Sequence, residues 1–161
     1  MQYFLCLLLA IPLSLTFYFF YHPCMSTFES SIRTIPYTQD LVYKTLSNPA
    51  NLERIKDKIP AEEQGKISFD NDTISFQIHP VGEIKLCIIE REEPKTIKFE
   101  AQQSPLPFYF WIQLLPFTET SCKLKLTLKA ELNPFIKGMV KKPLAEGIEK
   151  MADILEAITY E

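Results

Sequence analysis

The stretch SCKLKLTLKAEL occupies residues 121–132, and NPFIKGMVKKPLAEGIEKMADILEAI follows it over 133–158. In the first, Cys122, Leu124, Leu126, Leu128, Ala130 and Leu132 alternate with Lys123, Lys125, Thr127, Lys129 and Glu131. That period of two describes a strand with one face on a core and the other in water. In the second, Asn133-Pro134 supplies a helix N-cap and an N1 proline. Val140, Leu144, Ile148, Met151, Leu155 and Ile158 then recur every three or four residues, one apolar stripe of a long helix. Pro143 has no N–H for the carbonyl of Met139, so a bend or break is expected there. Strand face and helix stripe must both be buried, and packing one on the other achieves it.

Working backwards, five more strands are expected at 65–70, 73–79, 83–91, 96–102 and 108–115. Asn71-Asp72, Pro80-Val81-Gly82 and Glu92-Glu93-Pro94 punctuate them. Thr27 to Ile35 reads as a first strand, stopped by Pro36. Thr38 can cap a short helix carrying Leu41, Val42, Tyr43 and Leu46, and Asn48-Pro49 can start a second with Leu52 and Ile55. The expected architecture is α+β: a seven-stranded, curved antiparallel sheet wrapped around a long C-terminal helix. Two short helices after strand 1 plug one end.

The chain has 161 residues, 47% hydrophobic and 23% charged, a globular balance. Its four glycines are Gly65, Gly82, Gly138 and Gly147, too scattered for a glycine-rich phosphate loop. A formal charge of −3 gives no broad basic footprint for nucleic acid. The histidines are His22 and His79, and the cysteines Cys6, Cys24, Cys87 and Cys122, without C-x-x-C or H-x-x-x-H spacing. No metal site can be assembled from them, and no cofactor is expected. A Ser-His-Asp or Cys-His arrangement would have to use His79, which has no adjoining catalytic partner. A loop histidine is the expected reading, and no catalytic residue is assigned.

Residues 1–24 carry no Asp, Glu, Lys or Arg, and Tyr3 to Tyr21 is almost wholly apolar. Three readings stay open: a start opened too early, with Met25 beginning the domain; a membrane anchor through residues 3–21; or a cleaved signal. The length suits a bilayer span, whereas the flanks lack a signal peptide's positive n-region and small-residue cleavage site. The division is therefore 1–24 as an apolar segment and 25–161 as one domain. The location expected is cytoplasmic, with membrane anchoring as the alternative.

The run from Ile35-Pro36-Tyr37-Thr38 through Leu41-Val42-Tyr43-Lys44-Thr45-Leu46-Ser47-Asn48-Pro49 to Leu52 resembles the helix-grip superfamily. That group includes START lipid-transfer domains, pathogenesis-related plant allergens and polyketide cyclases (SRPBCC proteins). Leu132-Asn133-Pro134-Phe135 through Leu155 is similar to its last-strand-to-helix junction. The resemblance covers residues 26–158 and is specific for fold. It implies a cavity between sheet and helix for an apolar small molecule, and no cyclase or dehydratase constellation carries over. The ring-hydroxylase iron site needs two histidines and a carboxylate, which one domain histidine cannot supply.

Ile74, Phe76 and Ile78 share a strand face, as do Ile97, Phe99 and Ala101, and both sets should line the concave side with Leu126. Tyr109, Trp111 and Gln113 place an amide among aromatics, as ligand pockets do. Ordinary sheet packing with an exposed Tyr or Gln is the simpler reading of the three, and parity does not say which face of 108–115 looks inward. On the helix, Gly138 and Gly147 point to close approach of backbone or ligand, or merely accompany Pro143; Met139 and Met151 let a pocket adapt. Cys87 and Cys122 read as buried small hydrophobes, and the lysines of 123–129 and 137–142 as solvated faces. An anionic membrane is the alternative for the lysines if residues 1–24 are retained.

Three functions fit. The first is a binding module that carries or senses an apolar or lipid-like molecule, as monomer or weak dimer without nucleic acid. The second is a cyclase- or hydratase-type enzyme using the same cavity, and the third a non-catalytic interaction protein.

Overall fold

The structure is a computed structural model that describes residues 24–58, 67–78 and 82–160. Two strands open it, β1 (Cys24–Glu29) and β2 (Arg33–Ile35), followed by helix α1 (Gln39–Leu46) and a 3₁₀ segment (Pro49–Lys58). Then come β3 (Ile67–Phe69), β4 (Thr73–Ile78), β5 (Gly82–Glu92), β6 (Thr96–Gln103), β7 (Phe108–Thr118) and β8 (Ser121–Leu132). Helix α2 (Pro134–Ala157) closes the order.

The strands form one antiparallel sheet in the order β1-β8-β7-β6-β5-β4-β3, with β2 also on β8. The first and last strands are thus neighbours. The expected single strand 27–35 is divided in two. Between Glu29↔Thr127 and Arg33↔Leu124, four steps on one chain face three on the other, so one residue bulges. Ser30 holds the bulge: its N–H donates to the Leu126 carbonyl at 2.9 Å, and its Oγ accepts the Leu126 N–H at 2.9 Å.

Alternation along β8 matches the sequence reading: Cys122, Leu124, Leu126, Ala130 and Leu132 are buried. Register carries that face across the sheet. Ile97, Ile112 and Leu126 lie in one row; Ile88, Phe99, Phe110 and Leu128 lie in the next. Ile148, Ala152, Leu155 and Ile158 pack on the core they form.

Two local expectations are corrected. The second short helix is a 3₁₀ segment. The long helix continues through Pro143. Met139 and Pro143 both lie on its exposed side, where water can satisfy the carbonyl left without an N–H. Asn133 caps it as expected, its Oδ1 accepting the Phe135 N–H at 2.7 Å. Thr38 occupies the α1 N-cap position without a side-chain hydrogen bond.

Candidate functional site

Helix α2 packs chiefly on β8, β1 and β2. The inner face of the sheet extends past these strands. Beyond them lie Ile84, Leu86 and Ile88 of β5 and Ile97 and Phe99 of β6, all buried. Further out, Phe69, Ile74, Phe76 and Ala101 are half-buried against the same core, and Met151 faces it from the helix. Register puts Ile74 beside Leu86 and Phe76 beside Ile84. The result is an apolar surface, deep at β6–β8 and shallower towards the β3–β4 edge.

A polar clamp fixes the helix over one side of this surface. Arg33 Nη2 lies 2.8 Å from Glu149 Oε2 and 2.7 Å from Asp153 Oδ1, and Arg33 Nε lies 3.4 Å from Glu156 Oε2. The Ser31 N–H and hydroxyl donate to Glu149 Oε1 at 2.7 and 3.0 Å. These Ser31 bonds first, and the Arg33 charge after them, hold the Glu149 carboxyl below its ordinary value.

Three groups in the core are held in their neutral forms by burial. Burial pushes the Cys122 thiol up to about 11. Burial also raises the Tyr160 phenol, whose hydroxyl donates to the Leu155 carbonyl at 2.6 Å. Tyr43 is raised by burial too. Ser26 Oγ, on the inner face of β1, is buried with no hydrogen-bond partner among the described residues. Among the described residues, no group of three or more His, Cys, Asp or Glu side chains could hold a metal ion.

The residues singled out from the sequence fall into separate places. Phe99 and Leu126 are fully buried in the core, and Ile74, Phe76 and Met151 adjoin it half-buried. Ile78 ends β4, and its side chain lies outside the described residues, as does His79. Tyr109, Trp111 and Gln113 sit on the opposite, outer face, because Phe110, Ile112 and Leu114 are the buried set of β7. There the Tyr109 and Trp111 rings are 6.0 Å apart. Lys98 lies over both at 5.3 and 5.4 Å, and Lys129 over Trp111 at 5.4 Å. Thr127 donates to Gln113 Oε1 at 3.0 Å, which accounts for an amide among these rings. Met139 is 78% exposed. Gly147 is exposed, and a Cβ there would meet no atom within 4 Å, so close packing within the protein does not explain that glycine.

An outer-face groove of about 510 Å³ was not anticipated; Ile32, Pro94, Gln113, Leu115, Lys123 and Lys125 contribute to it. Its signal in the sequence is Leu115-Pro116-Phe117, an apolar run at the exposed end of β7.

No protein-family profile and no curated protein sequence matches the chain. Solved structures do. Norcoclaurine synthase from Thalictrum flavum superposes with a TM-score of 0.66 at 15% identity, over 84% of this chain and 86% of that one. This protein has a helix-grip fold. A START superfamily protein from Mycobacterium smegmatis gives 0.58 at 16% identity, over 82% and 94%. A protein from Thermus thermophilus gives 0.55 at 17% identity, over 81% and 94%. These neighbours share the fold expected from the sequence motifs. At such identities the likeness concerns the fold alone. Among the described residues, no helix is long and apolar enough to cross a membrane.

Proposed function

We propose that residues 25–161 bind an apolar or amphipathic, lipid-like small molecule between the inner face of the sheet and α2. The observation that carries this reading is the half-buried apolar surface of Phe69, Ile74, Phe76, Ala101 and Met151. It continues the core beyond the strands that α2 covers. Such a surface is stabilised when apolar area leaves water, by about 25 cal/mol per Å². Phe99 and Leu126 form the floor of the site, with Ile74, Phe76 and Met151 around it.

The reading is one of holding a ligand rather than transforming it. Cys122, Tyr43 and Tyr160 are kept in their neutral forms by burial, which suits an apolar guest. A norcoclaurine synthase with the same fold has been solved with dopamine and hydroxybenzaldehyde, so the architecture accommodates small aromatic molecules in that protein.

Native mass spectrometry of the full chain purified from cells tests the proposal. The expected result is an adduct in the small-molecule range that disappears on denaturation. Phe76→Asp should lose it while keeping the wild-type circular dichroism spectrum. An unliganded mass, together with no uptake of added anilinonaphthalene sulfonate, would contradict the reading.

A further inference from the structure

The groove on the outer face of the sheet has no part in the reading above. It runs from the turn between β5 and β6, across β7 and β8, to the bend between β1 and β2. Hydrogen bonds pin both of its sides. The Leu114 N–H donates to the Lys95 carbonyl at 2.7 Å, and the Leu114 carbonyl accepts the Gln39 side-chain amide at 3.1 Å. Across the groove, Ser31 and Arg33 both bond to Glu149 of α2, and Ile32 between them stands 61% exposed.

Leu115 lines the same groove and is 63% exposed, so two large apolar side chains stand open to water there. Lys95, Lys123 and Lys125 line it too, and none of its lining residues is acidic, in a chain of formal charge −3. Register sets Leu115 beside Lys123 and Gln113 beside Lys125. Lys125 is paired with Glu29 at 3.0 Å. Lys95 and Glu92 are 3.8 Å apart, both well exposed, and hold each other weakly. Lys123 makes no ion pair among the described residues; its ammonium lies 4.2 Å from the centre of the Phe117 ring.

We infer that this groove docks an extended acidic segment of a partner protein, with aliphatic side chains against Ile32 and Leu115 and a carboxylate on Lys123. Charge complementarity selects the acidic partner, since the lining offers cations alone. The dimensions favour a chain over a small molecule. Three strand spacings separate Lys95 from Ile32, about 14 Å, which four or five extended residues cover. A small ligand lying there would keep much of its surface in water, whereas small-molecule pockets enclose theirs. A bilayer fits less well, because the surface is a hollow and the adjoining β7–β8 turn carries Glu119. This inference does not depend on a ligand between the sheet and α2.

The test selects a phage-displayed library of random peptides on the full chain, then titrates a synthetic copy of the strongest binder by calorimetry. Selected sequences should combine Asp or Glu with Leu, Ile or Val, and their binding should weaken as salt rises. Lys123→Glu and Leu115→Asp, both at the surface, should each weaken the peptide at least fivefold while leaving the circular dichroism spectrum unchanged. In methyl NMR the peptide should shift Ile32 and Leu115 and leave Ile74 and Met151 in place. Selected peptides without acidic residues, binding indifferent to Lys123→Glu, or shifts at Ile74 and Met151 in place of Ile32 and Leu115 would overturn the inference. So would an empty selection, and binding to phosphatidylglycerol vesicles that Lys123→Glu abolishes would then assign the groove to a membrane.

Discussion

Arg33 and Glu149 stand 116 residues apart in the chain, and their side chains meet at 2.8 Å. One belongs to the short strand after the Ser30 bulge, the other to the middle of α2. Asp153 and Glu156 complete an acidic row at spacings of four and three on the same helix face. The row ties the helix to the first strand and leaves the β3–β6 half of the inner face to other partners.

This clamp makes stability depend on pH in a defined direction. Glu149 is held below its ordinary value, so its contribution is fully present above that value and fades as pH falls through the folded one. Urea midpoints measured from neutral pH down to about pH 3 should fall less steeply for Glu149→Gln than for the native chain. Arg33→Ala and Glu149→Gln should be non-additive in a double-mutant cycle. Parallel pH curves would show that the pair contributes nothing.

Ile148 is 3% exposed and packs in the core. Ile148→Ala should cost about 2–5 kcal/mol in urea unfolding. Ile148→Asp should abolish the cooperative transition, because an unpaired carboxylate would enter the core. Met139→Ala, on the exposed flank of the same helix, should stay within about 0.5 kcal/mol of the native chain.

The fold was legible where one periodicity dominated. Alternation in β8 named its inner face, and the stripe from Val140 to Ile158 named the face of α2. Phe108 to Leu114 is apolar on both faces, so β7 needed its register with Leu126 and Leu128 to reveal that Phe110 and Ile112 look inward. The split of the first strand was hidden because a bulge at Ser30 changes pairing without any Gly or Pro to mark it. Pro143 suggested a break that does not occur, since its cost depends on whether the freed carbonyl reaches water.

The thiols give a chemical check. Burial raises Cys122 to about 11, so little thiolate exists near neutral pH. In the folded protein, peptide mapping after iodoacetamide treatment should find Cys87, which is half-exposed, modified well before Cys122. Urea should remove the difference. Comparable labelling of both in the native state would mean that Cys122 is not in the core.

Ser26 offers another. Its hydroxyl is buried without a partner among the described residues, so Ser26→Ala should leave unfolding stability unchanged or raise it by up to about 1–3 kcal/mol. A marked loss of stability would show that the hydroxyl is satisfied in solution.

Of the residues singled out from the sequence, those of the inner sheet face were legible. Ile74, Phe76, Phe99 and Leu126 alternate with polar neighbours, so their common side followed from parity. Tyr109, Trp111 and Gln113 carried the composition of a pocket but lie on the outer face, where Lys98 and Lys129 stack on the rings. Composition does not report the side of a sheet. Glu149, Asp153 and Glu156 carried no signal of their own in the sequence, because their partner Arg33 is identified only once β2 lies beside β8.

Methyl NMR of the full chain titrated with anilinonaphthalene sulfonate tests the central claim most directly. The account predicts saturable shifts at the methyl groups of Ile74, Ile97, Leu126 and Met151, with those of Ile32, Leu115 and Met139 unmoved. Shifts confined to Ile32 and Leu115 would place the ligand in the outer groove. No saturable shift at any inner-face methyl would contradict a ligand held between the sheet and α2.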